Sequence, residues 1–204
     1  MIKRLLAVGL SLLLVLAQSG TAFADEIDVD LKLDEGLPEA VQVITLAEDS
    51  IPAKSAILMD QQSGRVLFEQ NADEPVAPAS ITKIMTLLLV IEALEEGKIS
   101  LEDKVVTSEL AASMGGSQIW LEPGEEMTVD ELLRAVAIAS ANDASVALAE
   151  HVAGSEPAFI ERMNKRAAQL GMQNTRFLNC TGLDEEGHVT TARDVAIVSR
   201  ELIS

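Results

Sequence analysis

The sequence predicts an α+β domain, and two observations lead there. Residues 55–70 hold two short apolar-bearing runs, AILMD and RVLFEQ, around the glycine-containing turn QQSG, which signals a β-hairpin. From residue 80 onward a succession of helical stretches follows, so strands sit at one end and helices cluster in the middle. The length of 204 residues suits one domain or the larger part of one. With 48% apolar residues and only 2% aromatics, the core is built mainly of Ala, Leu, Ile, Val and Met.

Residues 1–24 read as an export signal that is not part of the fold. Lys3 and Arg4 form a basic start, residues 5–17 an apolar run too short to span a membrane, and Ala22-Phe23-Ala24 a small-residue cleavage site. Residues 25–52 are acidic, carry Pro38 and Pro52 and lack periodicity, as a linker does. The folded part is therefore expected over 53–204. After the hairpin and a loop with Pro75 and Pro78, residues 80–96 form a helix with Gly97 as its stop. Its middle is apolar on every side, which makes it a central buried helix. Glycines and Pro123 mark 101–127 as loops. Thr128 and Glu131 make a capping box that opens the next helix. Ser140-Ala141-Asn142-Asp143 breaks that helix with turn-forming residues, and ASVALAEHVA resumes it. Ser155 and Pro157 start another helix, closed by Gly171. TRFLN reads as a short strand, GLDEEGH as a loop, and a last helix begins at Thr191 and still runs at Ser204.

The formal charge is −18, and with the leader removed 13 basic and 33 acidic residues leave −20. That balance argues against nucleic acid, since contacts to phosphate want Lys or Arg. Cys180 has no partner in the chain and no histidine within five residues, and reads as a buried structural thiol. His151 and His188 are too few and too far apart for a metal site of the usual spacing, so no metal or other cofactor is expected. His151, in an Ala/Val-rich stretch, is expected to be structural, and His188 to be solvated in its loop.

The chemistry concentrates at PASITKIM. Ser80 and Lys83 are three residues apart at the head of a long apolar run, which puts both side chains on one face. A lysine held against an apolar interior favours its neutral form and can accept a proton near neutral pH. Ser80 and Lys83 then make a nucleophile and its base. Taken alone, the pair fits an N-cap serine with a snorkelling lysine more readily. The second polar site, Ser140 with Asn142 in a break between apolar helices, has little packing reason to exist.

Together, S-x-x-K and S-x-N resemble the penicillin-binding proteins and serine β-lactamases. The wider text resembles the D-alanyl-D-alanine carboxypeptidases among the low-molecular-mass penicillin-binding proteins, over about residues 53–204. It comprises APASITKIMTLLLVIEAL, SMGGSQIWLEPGEEMTVDELL, IASANDASVALAE and NCTGLDEEGHVTTARDVA. The resemblance implies a β-lactamase/transpeptidase-like fold, an antiparallel sheet flanked by helices with an all-helical subdomain. It implies a substrate as well, a peptidoglycan stem peptide ending in D-Ala-D-Ala, and β-lactams as inhibitors. Ser80 would attack the carbonyl between the two D-alanines and Lys83 would take its proton. Ser140 would relay a proton to the leaving amine, and Asn142 would bind the substrate amide and help place Lys83. The Ser80 N–H would form half of an oxyanion hole.

The same resemblance leads one to expect Lys-Thr-Gly on an edge strand well after S-x-N, and no Lys-Thr-Gly occurs here. Cys180-Thr181-Gly182, about 40 residues after Ser140, is too near and too loop-like to be its counterpart. The sequence therefore reads as a domain without its C-terminal strands, inactive by itself, and any membrane contact would come through a C-terminal segment absent here. Two alternatives stand beside the carboxypeptidase: a truncated homologue that at most binds cell-wall peptide, and a serine β-lactamase. The latter is disfavoured by SAN in place of SDN and by Glu161, which lies too close to Ser140 and on a helical stretch.

Overall fold

The computed structural model describes residues 51–204; the expected leader, and all of the expected linker but residues 51 and 52, lie outside the described residues. Strand β1 (Ala56–Met59) pairs antiparallel with β2 (Val66–Gln70), Ala56 opposite Gln70, with an irregularity between Leu58 and Met59. In the turn Asp60 accepts the Ser63 N–H through its carboxylate and the Gly64 N–H through its carbonyl. The hairpin is the one the alternating runs predict.

A 3-10 turn, Ala79–Thr82, leads into helix α1, Lys83–Glu95. Every α1 residue from Lys83 to Ile91 is buried, as is Ala93. An all-apolar helix can satisfy itself only in the middle of a protein. Helices α3 (Val129–Ala139), α4 (Asn142–Ala153) and α5 (Glu156–Leu170) surround it, and Met85, Val90, Leu132, Leu148, Phe159 and Met163 fill the space between them with essentially no exposure. Helix α6 (Ala192–Leu202) packs against both α1 and β1. Arg200 donates to the carbonyls of Gln61 and Gln62 in the hairpin turn, and Arg193 reaches Glu69 and Asp73 at the hairpin's other end. An open apolar cleft of about 550 Å³ lies between β1 and α6, with Pro78 and Ile81 on its edge.

Three expectations are corrected. The region read as loops, 101–127, contains helix α2 (Glu109–Ala112) and strand β3 (Lys104–Val106), which pairs antiparallel with β4 (Glu126–Thr128). Strands of three residues are too short to show alternation. TRFLN is not a strand: only Arg176 bridges to Val189. The Asn164 side chain takes both the N–H and the carbonyl of Phe177, groups that a longer ladder would need. The last helix ends at Leu202, short of Ser204.

The helix boundaries follow the sequence closely. Thr128 accepts the Glu131 N–H through Oγ1, and the Glu131 carboxylate accepts the Thr128 N–H at 2.8 Å, completing the capping box. The Ser155 and Thr191 hydroxyls cap α5 and α6 by accepting the N–H groups of Ala158 and Asp194, and Gly171, at φ +81°, closes α5. Removing the cap with Thr128→Ala should lower stability by about 1 kcal/mol. The check is a urea unfolding curve whose midpoint falls while its slope stays constant; an unchanged midpoint would mean that β4 and the core hold this helix end without the cap.

Candidate active site

Ser80 lies not in an α-helix but in the 3-10 turn before it, three residues ahead of the first residue of α1. In a 3-10 turn side chains at i and i+3 eclipse, so Ser80 and Lys83 come together: Lys83 Nζ is 3.3 Å from Ser80 Oγ. As the second residue of the turn, Ser80 also presents a backbone N–H that has no acceptor within the helix.

The other partner of Lys83 is one that sequence reasoning missed. Nζ donates to the carbonyl of Thr181 at 2.7 Å, and Thr86, one turn further along α1, donates to the carbonyl of Cys180 at 2.7 Å. The Cys180-Thr181-Gly182 segment thus lies along the first turns of α1. Asn179 shapes it, its Oδ1 accepting the N–H groups of Thr181 and Gly182. Gly182, at φ +86°, presses on the peptide before Ser80: a Cβ there would stand 1.8 Å from the Ala79 carbonyl oxygen. Only glycine fits. The turn signature N-x-x-G was visible in the sequence, but nothing in it said which side chains the turn would meet.

Lys83 is 3% exposed, and burial pushes its pKa from 10.5 down to about 8. Neither of its hydrogen-bond partners is an anion. Cys180, the neighbouring group able to become one, is itself fully buried, and burial together with the adjacent Glu156 raises its pKa well above the ordinary value. The thiol stays neutral and leaves the lysine without a countercharge. Cys180 is a buried thiol, as expected.

Ser140 caps the end of α3 with left-handed backbone, φ 55°, and its buried Oγ has no hydrogen-bond partner among the described residues. A non-glycine residue in that region carries strain, and a buried unpaired hydroxyl costs free energy; both features cluster at functional sites. Asn142 opens α4. Its backbone N–H donates to Ser117 and its Nδ2 to Gly115 at 2.6 Å, so its amide holds the 115–117 loop, and Lys83 is placed by Thr181 where the resemblance had implied Asn142. Asp143, overlooked in the sequence, is fully buried and accepts the N–H groups of Ile119 and Leu121, on either side of the exposed Trp120. Gly116 connects the two groups, since a Cβ there would lie 2.9 Å from Asn142 Nδ2 and 3.8 Å from a methyl of Leu183. Residues 180–183 therefore touch the Ser80 turn at one end and the Asn142 loop at the other.

Glu161 is exposed on α5, as the sequence suggests. His151 is half-buried, 3.7 Å from Asp103. His188, expected in solvent, is 3% exposed and 2.9 Å from Thr82 Oγ1. Among the described residues no group of three His, Cys, Asp or Glu is placed to hold a metal ion, and no helix is long and apolar enough to cross a membrane.

The sequence profile of the D-alanyl-D-alanine carboxypeptidases matches residues 42–204. The D-alanyl-D-alanine carboxypeptidase DacF of Bacillus subtilis (strain 168) is 61% identical over 151 residues, covering 74% of this chain and 39% of the relative. DacC of Escherichia coli (strain K12) is 46% identical over 165 residues, covering 78% and 41%. The crystal structure of the D-alanyl-D-alanine carboxypeptidase DacD from Francisella tularensis superposes with a TM-score of 0.74 at 38% identity, over 81% of this chain and 40% of that one. PBP3 from Streptococcus pneumoniae superposes with a TM-score of 0.70 at 40% identity, over 74% and 47%. The chain spans about two fifths of the length of the curated relatives it matches.

A buried lysine leaves a mark on stability. Below pH 8 it is charged in both folded and unfolded states and carries the full cost of burial. Between about 8 and 10.5 the unfolded chain holds the proton that the folded one has released, so stability rises with pH. The gap between those two values corresponds to on the order of 3 kcal/mol. From pH 7 to 10.5 the unfolding free energy of wild type should therefore rise by about that much relative to Lys83→Met. Urea unfolding across this range measures it, and a difference that does not vary with pH would mean that Lys83 is not destabilised in its charged form.

Proposed function

The chain belongs to the D-alanyl-D-alanine carboxypeptidase family, and from that premise we propose that it carries the acylating half of a penicillin-sensitive serine carboxypeptidase site, with Ser80 as nucleophile and Lys83 as its base. One observation supports this above all: a lysine with a pKa of about 8 stands 3.3 Å from Ser80 Oγ, with a carbonyl and no carboxylate as its second partner. Neutral Lys83 takes the Ser80 proton as Oγ attacks the carbonyl between the two D-alanines of a stem peptide. The Thr181 carbonyl steadies the ammonium that forms. Negative charge gathers on the carbonyl oxygen near the Ser80 N–H. As the C–N bond breaks, Ser140 relays the proton held by Lys83 to the departing D-alanine amine, which returns Lys83 to its neutral form, and Asn142 Oδ1 accepts an N–H of the peptide. Water then attacks the ester, with Lys83 again the base. A β-lactam presents the same carbonyl and leaves a longer-lived ester.

The remaining parts follow the same reading: an export signal in 1–24, an acidic linker in 25–52, a catalytic portion from 53 onward, and a place outside the cytoplasm where stem peptides are found. Glu161, exposed on α5, gives no support to a β-lactamase.

Labelling with a fluorescent penicillin tests the assignment on the full product of the gene. A covalent adduct is expected, lost in Ser80→Ala and slowed by several orders of magnitude in Lys83→Ala. Its rate should climb with pH and level off above about 8, as Lys83 loses its proton. Undiminished labelling of Ser80→Ala would remove the serine from its role.

A further inference from the structure

His188 is buried beside the catalytic turn, and its two ring nitrogens have different surroundings. Nδ1 faces the N–H of Leu178 at 3.4 Å, which makes it the acceptor. A neutral imidazole has one acceptor nitrogen and one donor, so the proton sits on Nε2, 2.9 Å from Thr82 Oγ1. Thr82 is 1% exposed and lies between Ser80 and Lys83 in the chain. Phe177 packs edge-on against the ring, with centroids 6.0 Å apart at 80°. We infer that His188, as a neutral imidazole protonated on Nε2, is a positioning residue that holds the Ser80–Lys83 turn in place through Thr82.

The geometry gives the ring two anchors on two different segments. Leu178 and Phe177 fix it to the stretch that bridges to Val189, and Thr82 ties that unit to the 3-10 turn. The turn needs such a tie. Its first residue, Ala79, holds a left-handed φ of 46°, and it has no side-chain cap. A turn under that strain keeps its shape only where its surroundings impose it. Gly182 presses on the turn from one side and His188 binds it through Thr82.

Protonation would undo the arrangement, because a cationic ring would aim a second N–H at the Leu178 N–H. Burial opposes that charge and lowers the His188 pKa; Glu185 and Asp184, on its own loop, pull the other way. From the elements packed on it, the turn contributes the uncharged Thr82 with Lys83 next in the chain, and the facing segment contributes uncharged Phe177 and Leu178 beside the exposed Arg176. The consequence for catalysis rests on the function proposed above; the state of the ring does not.

The chain has two histidines, so ring ¹⁵N and ¹H NMR of the protein, with His151→Gln for assignment, reads His188 directly. The expected result is a neutral Nε2–H tautomer at pH 7 that titrates below 6.5, together with slow amide exchange at residues 80–83 that speeds up in Thr82→Val. Acylation by penicillin in the full gene product should fall roughly tenfold in Thr82→Val and in His188→Leu, the scale of one neutral hydrogen bond. His188→Gln, whose amide can donate and accept in the same places, should restore most of that rate. An Nδ1–H tautomer or a cationic ring at pH 7 would overturn the inference, as would unaltered exchange and acylation in Thr82→Val. Wild-type protein that shows the expected tautomer and exchange but takes up no penicillin would count against the proposed function alone.

Discussion

An amine buried without a countercharge governs this molecule. Helix α1 is apolar all round, so it must run through the centre, and its first residue is a lysine. Such a lysine could be relieved by an aspartate or glutamate, which would raise its pKa and keep it charged. Instead the amine meets a serine hydroxyl and the Thr181 carbonyl. A carbonyl dipole is enough to keep the nitrogen oriented and too weak to keep it charged. The neighbouring thiol, which could have become an anion, is itself buried next to Glu156 and held neutral. The cost falls on folding, and the large core around Met85, Val90 and Leu148 offsets it.

That amine makes the 179–183 loop as important as the helix. The loop supplies carbonyls to Lys83 and Thr86, and its glycine is in contact with the peptide that precedes Ser80. A side chain at Gly182 would collide with the Ala79 carbonyl and force either the loop or the turn to move, separating Lys83 from Thr181 or Ser80 from Lys83. Leu183 then reaches Gly116 in the loop that Asn142 holds. Two polar groups from distant parts of the chain are placed by one short segment lying between them.

Much of this was legible because helix ends are written locally. The capping box at Thr128 and Glu131, the Ser155 cap and the Gly171 stop each depend on residues within four positions, and each appears where the sequence put it. The hairpin was legible for the same reason, and so was the helix break at Ser140, although α4 already begins at Asn142, two residues before the sequence suggests. What escaped depends on distant partners. Ser80 stands in a 3-10 turn whose first residue, Ala79, is pressed against Gly182, about a hundred residues away. His188 looked solvated because its burial comes from Thr82 and Phe177, neither near it in sequence. In TRFLN the N–H and carbonyl of Phe177 are both taken by one distant side chain, Asn164 of α5.

Residues 140–143, a helix end followed by the first residues of α4, combine two jobs that the sequence shows as one polar patch. Asn142 and Asp143 face the 115–121 loop and satisfy its backbone: Gly115 and Ser117 through their carbonyls, Ile119 and Leu121 through their N–H groups. Mutating either would disturb a loop before it disturbed any reaction. Ser140 does none of this. It ends α3 in a left-handed conformation, buries its hydroxyl and finds no protein partner for it among the described residues. A helix can end on glycine with less strain and no unpaired group. A serine there is unfavourable for the fold twice over, through backbone strain and an unmet hydrogen bond, and both terms become intelligible if the hydroxyl's partner is a group that arrives from outside the protein.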